Sequence, residues 1–165
     1  MNKLFILIFK IKKRIFFLLY SLYSNSYTWI KLKGNDVEFS PISTNGVPMV
    51  DIESGGKMTI GKNFCMNNGK YFNKIGRQQQ SMFIVSKGGY LSIGDNVGIS
   101  ASTFVCKLRI SVGDNVKIGG NCVFYDTDFH SLNYMERRDK NVDTKKSNSL
   151  PVVIEDDAFI GAHCT

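Results

Sequence analysis

Residues 93–130 read Ile93-Gly-Asp-Asn-Val97-Gly, Ile99-Ser-Ala-Ser-Thr103-Phe, Val105-Cys-Lys-Leu-Arg-Ile-Ser, Val112-Gly-Asp-Asn-Val116-Lys, Ile118-Gly-Gly-Asn-Cys122-Val, Phe124-Tyr-Asp-Thr-Asp-Phe-His130. An apolar residue returns every six positions at Ile93, Ile99 and Val105, and again at Val112, Ile118 and Phe124. A small or β-branched residue follows four places later at Val97, Thr103, Val116 and Cys122. A helix repeats its apolar positions near 3.6 residues and a strand near 2. A step of six is instead the length of a short strand plus a turn, facing inward at a fixed phase. Coils of parallel strands stacked as a solenoid meet that requirement.

Working outward, Ser54 to Phe64 closely matches Lys87 to Val97, 33 positions later, so the repetition is internal. Ile60, Met66 and Phe72 keep the six-residue step, which predicts that the first clear coil begins near residue 50. The Gly and Asn residues that follow each aliphatic position suit turns, because both tolerate positive φ and Asn can hydrogen-bond its own backbone.

The hexads in Ile93 to Val105, Val112 to Phe124 and Ile154 to Thr165 resemble those of the hexapeptide-repeat acyltransferases. The resemblance implies an all-β solenoid, a left-handed parallel β-helix, over roughly residues 50 to 165. Gly88-Gly89-x-Leu91-x-Ile93-Gly94-x-Asn96-Val97-Gly98-Ile99-Ser100, Tyr125-Asp-Thr-Asp-Phe-His-Ser131 and Ile160-Gly161-Ala162 narrow it. They are similar to stretches of the sugar O-acetyltransferases of the maltose, galactoside and capsular-polysaccharide type. That likeness implies acetyl-CoA as donor, a sugar or glycan hydroxyl as acceptor, and a homotrimer with active sites between adjacent β-helices. It further implies His130 as general base, and contact of Gly161 and Ala162 with the pantetheine arm of the donor. Relatives continue for several hexads after the Ile-Gly-Ala coil whereas this chain stops at Thr165, so it is expected to be C-terminally truncated. The alternative is a non-catalytic, truncated β-helix module.

The six-residue beat lapses between Phe124 and Val153, where a polar insertion over 126–150 is expected to carry the function. Acetyl transfer to a hydroxyl requires removal of its proton as the oxygen attacks a thioester carbonyl, and an imidazole, with an ordinary pKa of about 6.5, suits that work near neutral pH. A carboxylate on its other nitrogen would fix the tautomer and stabilise the imidazolium. Asp126 and Asp128 are close enough in sequence to be that carboxylate or to contact substrate. His163, inside a hexad, is expected to be an exposed repeat residue. No metal is expected: His130, His163 and Cys164 lack zinc-ligand spacing, the acids are too few for calcium, and two histidines cannot supply a three-histidine site.

Composition sets the remaining bounds. The net charge is +7, yet residues 1–33 hold seven cations (Lys3, Lys10, Lys12, Lys13, Arg14, Lys31, Lys33) and no acid. The other 14 basic residues match the 14 acidic ones, so the body demands no basic patch and no nucleic-acid partner is expected. Residues 1–33 form a separate basic helical segment, ahead of a domain over 34–165. Within it Leu4, Ile8, Ile11, Ile15, Leu18 and Leu22 alternate in steps of four and three along one side of a helix. Lys10, Lys12, Lys13 and Arg14 interrupt the run, which argues against a membrane span, and no signal-peptide pattern appears. Two placements stay open: residues 1–30 on an anionic membrane surface, or packing of the stripe on the body or a neighbouring subunit. Cys65, Cys106, Cys122 and Cys164 form no C-x-x-C pair and read as buried free thiols in a reducing cytosol. The expected location is cytoplasmic, at the inner face of the cell membrane if the helix binds there.

Overall fold

The computed structural model describes residues 3–76 and 79–165. After a long helix, the strands are dealt in rotation to three parallel sheets. The first holds β1 (Glu38–Phe39), β4 (Lys57–Ile60), β7 (Tyr90–Ile93), β10 (Arg109–Val112) and β13 (Val152–Ile154). The second holds β2 (Ser43–Asn45), β5 (Cys65–Asn67), β8 (Gly98–Ser100), β11 (Lys117–Ile118) and β14 (Phe159–Ile160). The third holds β3 (Met49–Ile52), β6 (Met82–Val85), β9 (Thr103–Cys106) and β12 (Val123–Tyr125). Mostly parallel sheet with an N-terminal helix is compatible with a parallel β-helix.

Register follows the repeat. Ile60 pairs with Ile93, 33 positions on, and Ile93 with Val112, 19 on. Val112 pairs with Ile154, 42 on, so the long insertion is absorbed without loss of phase. Leu91, Val97, Phe104, Ile110, Val116 and Cys122, from strands and turns around all three sheets, are fully buried in one core. Phe83, Phe104 and Phe124 stack face to face through it, with ring centroids 5.8 and 4.9 Å apart.

Each residue of Ile-Gly-Asp-Asn has a separate physical job. A Cβ on Gly94 would lie 2.3 Å from Asp114 Oδ1 and 2.7 Å from the Gly113 backbone, so the glycine is required by close approach of the next coil. The aspartates then tie coil to coil: Asp95 accepts the Lys62 N–H at 2.7 Å, Asp114 that of Asp95 at 2.6 Å, and Asp156 that of Asp114 at 2.7 Å. Asn63, Asn96 and Asn115 take the positive φ, at 56°, 59° and 60°. Their amides form a ladder, Asn63 Nδ2 donating to Asn96 Oδ1 (2.9 Å) and Asn96 Nδ2 to Asn115 Oδ1 (3.0 Å).

Three expectations need correction. Val105 is only half-buried, while its neighbours Phe104 and Cys106 are fully buried. The reason is a turn one residue shorter: Phe104 pairs with Phe124, and buried Ala101 adopts a φ of 44° to make the short corner. Phe72 does not continue the core step; it lies in a one-turn helix, α2 (Gly69–Phe72), inserted between β5 and β6. The stacked strands begin at Glu38, not near residue 50, because the first coil is paired through β1 to β4 and β2 to β5.

The N-terminal helix α1 spans Lys3–Gly34. Its C-terminal half packs on the body through Ser24, Thr28 and Leu32, all buried. Asn25 stands in for a missing strand beside β2, donating from Nδ2 to Thr44 O and accepting the Thr44 N–H, each at 2.9 Å. An edge strand is thereby covered. Phe16, Phe17 and Tyr20 rest on Tyr71 and Phe72 of α2. The apolar stripe therefore does not pack on the body; Ile8, Ile11, Ile15, Leu18 and Leu22 are all exposed. Among the described residues no helix is long and apolar enough to cross a membrane.

Candidate functional site

After Tyr125 the chain leaves the third sheet and returns at Val152 in the first. The base of the intervening loop is zipped by an antiparallel bridge between Thr127 and Ser149. Asp128 N–H donates to Asn148 O and Leu150 N–H to Asp126 O, each at 3.0 Å. A cleft of about 230 Å³ opens beside this base, lined by Tyr125, Asp126, Thr127, Asp128, Asn148 and Leu150. A larger cleft of about 700 Å³, lined by Asp36, Glu38, Lys57 and Tyr90, lies toward the α1 end and contains no histidine.

Asp126 is buried, and its carboxylate accepts the N–H groups of Lys107, Leu108 and Arg109, each at 2.7 Å. It is the fastener of the β9–β10 corner, not the partner of His130. Burial, reinforced by the charge and hydrogen bond of Asp126, pushes the neighbouring Cys106 thiol up to about 12.

His130 is set by a tight turn. Its N–H donates to Asp128 O at 2.7 Å across Phe129, whose φ is 61°. A three-residue turn with positive φ at a bulky residue is rare and costs on the order of 1–3 kcal/mol, and such strain clusters at functional sites. Phe129 is held there by its N–H on Thr127 Oγ1 (3.1 Å) and by an edge-on contact with Tyr125, 5.1 Å between centroids. Asp128 contributes a backbone oxygen to the turn and an exposed side chain at the cleft.

The carboxylate on His130 comes from further along the loop. After a 3-10 turn at Glu136–Arg138, helix α3 (Lys140–Lys146) starts at Asp139, which caps it by accepting the Asn141 N–H at 2.9 Å. One turn in, Asp143 Oδ2 lies 2.7 Å from His130 Nδ1 and Oδ1 accepts the Ser131 N–H at 2.7 Å. The hydrogen bond from His130, and then that from Ser131, holds the Asp143 carboxyl below its ordinary value of 3.8. A carboxylate only accepts, so the proton of the neutral imidazole is on Nδ1 and the Nε2 lone pair is unshared. The His130 side chain is 67% exposed and that of Asp143 only 10%, which presents a wet base on a buried support.

Ser131 is the second support. Its hydroxyl bonds the Glu136 carboxylate and accepts the Asn133 N–H at 3.1 Å, and its carbonyl accepts from Arg137 Nη1 at 2.6 Å. Arg137 is thus occupied in holding the loop. Sequence reasoning gave Asp143, Ser131, Glu136 and Arg137 no part in holding His130. The available signal was Asp139 as an N-cap with Lys145 and Lys146 in the last turn, which marks a short helix.

Gly161 and Ala162 follow β14, at the corner where the second sheet gives way to the third; His130 follows β12, at the far end of that third sheet. Gly161 O accepts from Cys122 Sγ at 2.9 Å, and the Ala162 backbone packs where a Cβ on Gly119 would lie, 2.6 Å from Ala162 N. A Cβ on Gly161 would meet nothing within 4 Å, and Ala162 is exposed. The two halves of the expected site are separated within the chain by the width of β12. His163 is exposed, with a φ of 64° and its Nδ1 3.3 Å from Asn121 Nδ2. Among the described residues no group of three or more His, Cys, Asp or Glu is placed to hold a metal ion.

No family model, no curated protein and no solved structure matches the chain.

Proposed function

We propose that the chain is a left-handed parallel β-helix of hexapeptide repeats that transfers an acetyl group from acetyl-CoA to a sugar hydroxyl. The observation that carries the reading is the His130–Asp143 pair, 2.7 Å apart and mounted on a strained turn in the longest insertion between strands. The strict rotation of strands among three parallel sheets supports the winding. Acetyl-CoA, when bound, supplies the thioester carbonyl. His130 Nε2 takes the proton of the acceptor hydroxyl as its oxygen bonds to that carbonyl carbon. Asp143 keeps the Nδ1 proton in place and balances the imidazolium. As the carbon–sulfur bond breaks, the imidazolium returns its proton to the leaving thiolate. Charge balances at each step, and the base is regenerated.

Separation of His130 from Gly161 and Ala162 across β12 supports a homotrimer in which the base of one copy meets the donor corner of the next. The cell-surface or capsular class of glycan follows from the resemblance of the Tyr125-to-Ser131 stretch.

The test is release of free thiol from acetyl-CoA with a panel of sugar acceptors. His130→Ala is expected to lower the rate by about 10²–10⁴-fold, and Asp143→Asn to lower kcat while leaving KM for the acceptor nearly unchanged. Equal rates for wild type and His130→Ala would remove His130 from the mechanism. Calorimetric titration with coenzyme A separates a transferase from a non-catalytic module, since the latter gives no binding heat.

A further inference from the structure

The geometry points to α1 as a helix that lies flat along an anionic membrane surface over most of its length, with the stacked coils seated on an adjoining face. The outward face continues past the stripe read in the sequence: Ile8, Ile11, Ile15, Leu18, Leu22 and Trp29 are between 45% and 62% exposed. At 1.5 Å per residue this face runs for about 32 Å. The body uses a separate, adjoining row, Ser24, Thr28 and Leu32. Hydrogen-bond and ring contacts from α1 to the body, among the described residues, run from Phe16 to Lys33. The aromatic shelf of Tyr71 and Phe72 under Phe16, Phe17 and Tyr20 sets the angle at which the helix leaves the body. The exposed stripe is thus left clear of the folded domain, the arrangement of an interfacial helix.

Charge selects the occupant. Residues 1–33 carry seven cations and no acid. Lys10, Lys13 and Arg14 surround a shallow concavity with Phe17 on the side opposite the stripe, and Lys12 borders the stripe. Their long side chains reach back to headgroups while the stripe enters the acyl boundary. Packing this face against a second copy would place Lys12 of each helix at the seam and bring two strongly cationic helices together with no acid in either to pair them, which disfavours a coiled coil. An anionic bilayer supplies the missing charge, at about 1 kcal/mol for each cation near the surface.

The full chain is sedimented with vesicles of phosphatidylglycerol mixed in phosphatidylcholine, or of phosphatidylcholine alone. Wild type is expected to partition at least about tenfold better onto the anionic vesicles, with the preference lost in high salt. The double variant Ile11→Asp, Leu18→Asp is expected to lose at least about tenfold of that partitioning with an unchanged thermal melt, since both side chains face away from the body. Trp29 is the only tryptophan, and its emission in the unmodified protein is expected to shift to the blue on adding anionic vesicles, an observation that needs no variant. Equal partitioning of wild type and double variant, or an unmoved Trp29 emission, overturns the proposal. So does a double variant that changes sedimentation without lipid and leaves vesicle binding intact, which would assign the face to a second copy.

Discussion

Asp143 is the residue on which the loop turns, because its two oxygens hold two consecutive residues, His130 and Ser131, in fixed relation. Its carboxyl titrates below the ordinary 3.8 once folded, so the stability it lends is present in full above that value and is lost as pH falls through the lowered one. The protection of the loop amides, corrected for the intrinsic pH dependence of exchange, is expected to fall only in acid below about pH 4, and Asp143→Asn to remove that acid limb. The thiols divide just as sharply. Cys65 and Cys164 are exposed, while Cys106 and Cys122 are buried with their thiols pushed up by burial. A disulfide reagent at mildly alkaline pH is expected to titrate two thiols quickly in the native protein and all four after unfolding. Neither Asp143 nor the burial split was legible by spacing alone: thirteen positions separate His130 from Asp143, and only the short helix α3 brings them together. His130 was legible because it stands at the entrance of the insertion. As partners of His130, Asp126 and Asp128 misled because nearness in sequence was mistaken for reach: the Asp126 carboxylate is spent on three backbone N–H groups, while Asp128 keeps an exposed side chain at the cleft.

At the scale of elements, the Ile-Gly-Asp-Asn turns do more than reverse the chain. Gly94→Ala is expected to cost about 1–3 kcal/mol, because its Cβ would strike Asp114 and the Gly113 backbone, neither of which can retreat within a packed coil. Gly34→Ala, where a Cβ meets nothing within 4 Å, is expected to leave the melting temperature nearly unchanged. Differential scanning calorimetry checks both. The hexad period was legible because inward side chains recur at a fixed phase. The slip from Val105 to Phe104 was not, since it depends on buried Ala101 accepting a left-handed backbone. The first coil was also hidden, its strands being two to four residues long with no Ile-Gly turn between them. In α1 the periodicity was legible but its direction was not: an apolar stripe says that a face seeks cover, and here the small polar side chains Ser24, Asn25 and Thr28 are the ones that fit against a strand edge.

At the scale of the molecule, the proposed trimer makes a sharp prediction. If the base of one copy serves the donor corner of its neighbour, chains carrying His130→Ala and chains carrying a bulky block, Ala162→Trp, are each inactive alone. Unfolded and refolded together, they are expected to regain a fraction of wild-type thiol release, because some interfaces then pair an intact base with an intact corner. Absence of any regain would confine the site to a single copy.

The spacing of register partners also dictates an order of assembly. Closing β7 on β10 joins residues 19 positions apart, whereas closing β10 on β13 joins residues 42 apart. The difference in closure entropy is about 0.7 kcal/mol at equal stiffness. The central coils, already sharing Phe83 and Phe104, are the least costly place to nucleate, and the coil that follows the His130 loop zips last. What zips last opens first: the segment bearing His130 can fray and reseat while the ladder of asparagines beneath it stays closed, giving the chain a hinge that no dedicated hinge sequence encodes.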